Sequence, residues 1–389
     1  MMSTVPSTPA PCLDRLPGPT GRPRRLAAAL LGLGLCAGAG AAAACTPDYL
    51  IVRGDTLSGI AYANLGSVFD YPRIHDRNRD VIGDDPDMIY AGDRLDIPCD
   101  FAELEEIDWS VMPDPEDVAA LMDQMPIQVI DIRGAKALAK GVVPGAVSVP
   151  YSLWRGPKEN PGRPPSEADL EALLSIAGLD LDAPILVVHD KDNPMSTGRA
   201  ARVYWLLKSS GASQLAILRG GFKGWTAAGL PVADRPVAAR TTDVDVAFSD
   251  DWHAETTDVI GIALGQVDGH LLDARPHGMF AKLDDLGRAL ATTLPGAQSA
   301  PAPALMSTLA GEIDIEAGAY RVIDYLVEHD VDYAAGNVVS FCHTGELGAL
   351  NWFYASELAG LPGMKLYPDS IKGWTSRGGD LVPGAPSDG

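Results

Sequence analysis

Blocks of different hydrophobic rhythm follow one another along this chain. Leu26–Leu35 is an almost unbroken apolar run, with Arg22, Arg24 and Arg25 before it and the small-residue tract Ala37–Ala44 behind it. Positive, apolar, then small is the order of a secretory signal, which predicts an exported protein freed of residues 1–44 after Ala42-x-Ala44. The run is too rich in Ala and Gly to make a strong permanent span. Tyr49–Val52 then reads as a short strand, Gly54-Asp55 as a turn, and Asp55 or Thr56 as the cap of a helix that follows. A second polar stretch, from Asn78 to Asp87, leads into the apolar positions Ile89, Leu95 and Ile97. Residues 100–118 carry Glu103, Glu105, Glu106, Asp114 and Glu116 beside prolines, which predicts an acidic linker or a solvated helix.

Beyond this stretch the pattern changes again, and then it repeats. Ile185–Val188 is a continuous apolar run, suited to a strand buried on both faces. Ala200, Val203, Tyr204 and Leu207 follow at i, i+3, i+4, i+7 spacing and predict a helix, and Leu215–Leu218 predicts a further strand. In the second copy Val338–Phe341 predicts a strand, and Leu350, Phe353, Tyr354 and Leu358 a helix. Three anchors recur in order. Ile130-Asp131-Ile132-Arg133 returns as Leu272-Asp273-Ala274-Arg275, Pro144-Gly145-Ala146 as Pro295-Gly296-Ala297, and Lys223-Gly224-Trp225 as Lys372-Gly373-Trp374. The offsets of 142, 151 and 149 residues are close enough to mark a duplication. Strand and helix alternating in this way predict an α/β fold with parallel sheets. One copy is expected over 119–235 and one over 257–385, joined by a polar linker at 236–256.

Composition narrows the function classes. The 389 residues suit two or three domains, and a hydrophobic content of 46% is enough for their cores. With 52 acidic against 30 basic side chains the net charge is −22. Such a surface repels phosphate backbones and anionic lipids, so nucleic acid is excluded as a partner. Of five cysteines, Cys12 and Cys36 would leave with the signal. The odd remainder, Cys45, Cys99 and Cys342, suggests one pair and one free thiol in an exported chain, with a lipidated Cys45 as the rival reading. His75, His189, His253, His270, His277 and His329 show no metal-ligand spacing, so neither metal nor cofactor is expected. Trp154, Trp205, Trp225, Trp352 and Trp374 are expected to pack the domains.

The chemistry points to Cys342. The segment Cys342-His343-Thr344-Gly345-Glu346-Leu347-Gly348 lies between a buried strand and a helix start, the place where ligands collect in open α/β sheets. A loop there aims backbone N–H groups at one point, which predicts a lowered thiol pKa and room for an anion. On that expectation no general base is needed. Glu346, if turned inward, would oppose both a thiolate and a dianionic donor.

Two resemblances follow from these residues. The stretch 45–99, with Gly54-Asp55-Thr56-Leu57 and Gly92-Asp93-Arg94-Leu95-Asp96-Ile97-Pro98, resembles the lysin motif (LysM), a ββ pair with two helices. The resemblance implies binding of peptidoglycan or another N-acetylglucosamine polymer around Gly54, Asp55, Thr56, Leu57, Asp87 and Ile89, hence a cell-wall association. It also implies that Cys45 and Cys99 meet and pair. The duplicated region resembles a tandem rhodanese, a two-domain sulfurtransferase, through Asp-x-Arg, Pro-Gly-Ala, Gly-Trp and the cysteine loop. That implies transfer of sulfane sulfur from a small donor such as thiosulfate, through a persulfide on Cys342, to cyanide or a thiol, including a protein thiol. The loop His343, Thr344, Gly345, Glu346, Leu347 and Gly348 would hold the anion, with Arg275 either as a helper or held in a salt bridge within its own domain. The first copy, with Asp190 in place of Cys342 and a longer Lys191–Thr197 loop, would be silent. Two rivals share this fold: a non-catalytic peptidoglycan-binding scaffold, and a persulfide carrier loaded by a partner protein.

Overall fold

The computed structural model describes residues 48–53, 55–57, 60, 61, 64, 71–83, 86, 88–97, 109–306, 315–331, 333 and 336–384. The signal segment, Cys45, Gly54, Asp87 and Cys99 lie outside the described residues. In the small N-terminal unit, β1 (Asp48–Leu50) pairs antiparallel with β2 (Arg94–Asp96). Ile51, Leu57, Ile60, Ala61, Ile74, Ile82, Leu95 and Ile97 form its core. Asn78 ties its helical side to β2, donating to Asp96 O at 2.9 Å and accepting from Asp96 N at 2.8 Å.

Two four-stranded parallel sheets follow. The first has β3 (Gln128–Asp131), β4 (Val147–Ser148), β5 (Ile185–Val188) and β6 (Leu215–Ile217) in the order β4-β3-β5-β6. The second is built from β7 (His270–Asp273), β9 (Gln298–Ser299), β10 (Val338–Phe341) and β11 (Met364–Leu366) in the order β9-β7-β10-β11. Strand for strand, the two orders are the same. β8 (Ala291–Thr293) pairs apart from the sheet, antiparallel with β12 (Val382–Pro383). The central strands β5 and β10 are buried along their whole length, as their unbroken apolar runs require.

Local chemistry sets the helix ends. Ser166 caps the helix Glu167–Ala177 by accepting from Asp169 N, and Gly178 ends it in the left-handed region at φ 69°. Asn193 caps the helix Pro194–Ser209, with proline at its first position. That helix carries the expected stripe of Ala200, Val203, Tyr204 and Leu207, but it is buried on more than one side because it lies between the two sheets. It packs on the helix Glu346–Trp352, and the two domains share one apolar core across the contact. Gly198 is needed there, since a Cβ would fall 2.6 Å from Glu346 O.

Both domain starts lie earlier in the chain than the sequence pattern predicts. Residues 109–118 are not linker. Met112 and Val118 are fully buried, and Val111 and Pro113 accept from Ile217 N and Arg219 N along the free edge of β6. Glu116, one of the acidic side chains that suggested solvent, sits with Asp117 in the first turn of the helix Pro115–Met122, where their negative charge complements the helix dipole. The second copy does the same. Trp252 and Ala254 bond along the outer edge of β11, just before the helix Thr256–Ala263. Between the copies, residues 237–249 form a strap rather than a loose linker. Its amides bond to Ala146 O, Ser175 O, Glu171, Glu167 and Ser209 O of the first domain.

Candidate active site

Cys342 is the first residue past β10 and the free cysteine among the described residues, with 3% of its surface exposed. The loop turns at Gly345, whose φ is +98°, and a Cβ there would stand 2.8 Å from Pro368 O and against the Arg202 guanidinium. Glycine is therefore required both for backbone conformation and for room. The turn aims three amides at Sγ, those of Gly348, Thr344 and Gly345, the last at 3.1 Å. This is the anion-accepting nest anticipated from the sequence.

The thiol itself differs from expectation. Its pKa is raised, not lowered. Burial is the main cause and the Glu346 charge the second, and together they outweigh the amides. Resting Cys342 is a thiol, so a proton must leave before sulfur can attack. The argument that no base is needed fails with it.

Glu346 is buried and held at both oxygens. Tyr151 Oη donates to Oε1 at 3.1 Å, Arg155 Nη2 stands 3.1 Å from the same atom, and Thr344 Oγ1 donates to Oε2 at 2.7 Å. Tyr151 and Arg155 belong to the first domain, so the first copy grips the cysteine loop of the second. Arg202 reaches the same junction. It is fully buried, donates from Nη2 to Gly162 O, and leaves Nε and Nη1 without a partner. Sequence reasoning missed all three. Arg202 carried a signal, being a cation inside an apolar helical stripe; Tyr151 and Arg155 carried none, because their partner is nearly 200 residues away.

His343 is exposed, and its pKa is lowered by partial burial and then by Arg275 and Lys372. Leu347 faces the shared core and serves packing instead of the anion. Arg275 is not available to a donor. It is locked on Asp273 at 2.9 and 2.6 Å and on Thr292 O at 2.8 Å. The first copy repeats the lock with Arg133, Asp131 and Gly141 O. The Asp-x-Arg repeat is a fold element.

Ser370 is a further residue the sequence did not single out. Its hydroxyl accepts from Cys342 N at 3.1 Å and donates to Tyr367 O at 3.0 Å. It does so from φ +53°, a conformation that costs a non-glycine residue about 1–2 kcal/mol. The backbone beyond is pinned as well, Ile371 N to Cys342 O and Lys372 N to His343 O.

The register of the two sheets corrects the match between copies. Asp131 pairs with Val188 as Asp273 pairs with Phe341, and Phe222 N bonds to His189 O as Ile371 N bonds to Cys342 O. His189 therefore stands where Cys342 does, and Asp190 matches His343. The helix begins at Pro194, so the loop is Asp190–Asn193 and not Lys191–Thr197, one residue longer than His343–Gly345 of the second copy. His189 is fully buried, with Nε2 3.2 Å from Leu218 O, and burial pushes its pKa down to about 4. It is neutral at neutral pH, although Asp192 lies 3.5 Å away.

In the N-terminal unit, Leu57 is a core residue and cannot face a glycan. Asp55 is engaged within its own turn, accepting from Val52 N at 2.8 Å and from Tyr49 Oη at 3.1 Å. Thr56 is exposed and Ile89 half-buried.

Duplicated parallel sheets with a loop cysteine at the end of a central strand are the rhodanese fold. Residues 114–228 match the family described as the rhodanese-like domain. The thiosulfate sulfurtransferase of Pseudomonas aeruginosa is 29% identical, over 69% of this chain and 94% of its own length. The 3-mercaptopyruvate sulfurtransferase of Escherichia coli is 26% identical over 67% and 93%. Among solved structures, SseA from Escherichia coli superposes with a TM-score of 0.56 at 22% identity, over 67% of this chain and 98% of that one. The anaerobic ergothioneine biosynthesis enzyme from Chlorobium limicola superposes with a TM-score of 0.59 at 16% identity, over 71% of each chain.

Proposed function

We propose that this chain is an exported sulfurtransferase that moves sulfane sulfur from a small sulfur-containing donor to a thiol or cyanide through a persulfide on Cys342. One observation carries the reading: a free, buried Sγ at a strand end, encircled by the amides of Thr344, Gly345 and Gly348. Those amides stabilise negative charge on Sγ as it attacks, and on the persulfide's outer sulfur afterwards. Ser370 fixes the amide of Cys342, and the first domain fixes Glu346. Relatives that carry the names thiosulfate and 3-mercaptopyruvate sulfurtransferase support the reaction class. The signal-like Leu26–Leu35 run supports export, and the β1/β2 pair with its Gly-Asp turns supports a peptidoglycan-binding role for residues 45–99.

Intact-mass spectrometry with Cys342→Ser beside the wild type tests the reaction. Wild type incubated with a sulfane donor should gain about one sulfur mass, which cyanide removes, and the variant should gain none. Absence of the gain with thiosulfate, mercaptopyruvate and hydropersulfide alike would leave a binding scaffold as the reading. Retention on insoluble peptidoglycan, lost on deleting residues 45–99, tests the N-terminal role.

A further inference from the structure

We propose that Glu346 sets the donor class of this site, selecting a hydropersulfide, R–S–SH, over the thiosulfate dianion. The inference rests on the sulfurtransferase reading, whose persulfide it assumes. Both carboxylate oxygens are satisfied, by Tyr151, Arg155 and Thr344, so the group is fixed in place. It is 5% exposed, so bulk salt screens it little. It is also the largest charge effect felt by Cys342.

Two further cations lie near the loop, Lys372, whose charge is felt at His343, and Arg202, packed close to Gly345, yet Glu346 is the charge felt at Sγ. Arg275 is spent on Asp273 and Thr292 O. Arg155 is spent on Glu346 itself. His343, the exposed residue at the mouth, has a lowered pKa and is neutral at neutral pH. Thiosulfate would enter with two negative charges and leave sulfite with two, beside a buried carboxylate throughout.

A hydropersulfide avoids that. Cys342 gives up its thiol proton, Sγ bonds to the donor's outer sulfur, and the donor's S–S bond breaks with its electron pair leaving on R–S. That sulfur takes up a proton, so Cys342–SH and R–S–SH become Cys342–S–SH and R–SH. No oxidant is needed, and the donor brings at most one negative charge to Glu346 where thiosulfate brings two. The raised thiol pKa is tolerable here for the same reason, since the proton has an acceptor in the leaving thiolate.

The test measures the rate of sulfur loading on Cys342 by intact mass, with thiosulfate and with an alkyl hydropersulfide, in wild type, Glu346→Gln and Arg155→Gln. Glu346→Gln should raise the thiosulfate-to-hydropersulfide rate ratio by about tenfold, the equivalent of one pKa unit of charge interaction. Arg155→Gln, which strips the carboxylate of its cation, should move the ratio the other way. It carries the test if the first variant does not fold. A ratio that stays within about threefold of wild type in both would overturn the proposal while leaving the transferase intact. Loading by neither donor in any form would overturn the transferase reading itself.

Discussion

The two copies differ less in fold than in the few residues at the end of one strand. Each has the same strand order, the same Asp-x-Arg lock and the same edge segment ahead of its first helix. At the end of the central strand one copy places His189 and the other Cys342. At the turn that backs this position one places Gly221 at φ +57°, and the other Ser370 at φ +53°. The left-handed turn belongs to the fold, since both copies have it. In the first copy glycine adopts it freely. In the cysteine copy a serine accepts the strain, and its hydroxyl holds the amide of the reactive residue. Strain appears where the chemistry is.

The comparison can be broken most severely at Cys342. Serine there should abolish sulfur loading outright, and His189→Cys should not create a second loading site, because the silent loop has no glycine nest like that at Gly345. Mass spectrometry of both variants checks this. Next in size is Gly345→Ala, which combines a left-handed φ with contact against Arg202 and Pro368. It should lose about 3 kcal/mol of stability in denaturant unfolding, with loading lost as well. Smaller and more discriminating is the pair Ser370→Ala and Ser370→Gly. Both remove the hydroxyl, but only alanine keeps the strain. The glycine form should therefore be the more stable by about 1 kcal/mol while both load sulfur more slowly.

The smallest effect concerns pH. The attacking species is the thiolate and burial holds the thiol pKa above its ordinary value, so loading of wild type should still be rising with pH through the neutral and mildly alkaline range. Glu346→Gln removes the second cause of that shift and should move the rise to lower pH. A rate already flat at neutral pH in wild type would contradict the protonated resting thiol.

The sequence revealed what is periodic and local. Ile185–Val188 and Val338–Phe341 announced buried parallel strands because burial on both faces leaves no polar position to alternate with. A lone thiol is most often a buried packing residue, and Cys342 stood out only because the repeat, the glycine-bearing loop and the odd cysteine count converge on it. Counting back from the repeat anchors misplaced its silent counterpart by one residue. Loop lengths between anchors differ, and only strand register aligns His189 with Cys342. The direction of the thiol's shift was also unreadable. It depends on depth of burial and on Glu346, whose orientation is set by Tyr151 and Arg155 from the other domain. Arg275 takes the second of its two expected roles, the salt bridge within its own domain, its partner being only two residues away in Asp273.

The strap at 237–249 has a mechanical consequence. A connection whose amides are tied to the first domain, and whose next residues join the edge of β11, leaves no slack for a hinge. The halves are splinted, not tethered, so one cannot swing away to admit a donor. Access to the sulfur is then set by the residues around Cys342, of which His343 is exposed and Thr344 half-buried, and not by the motion of a domain.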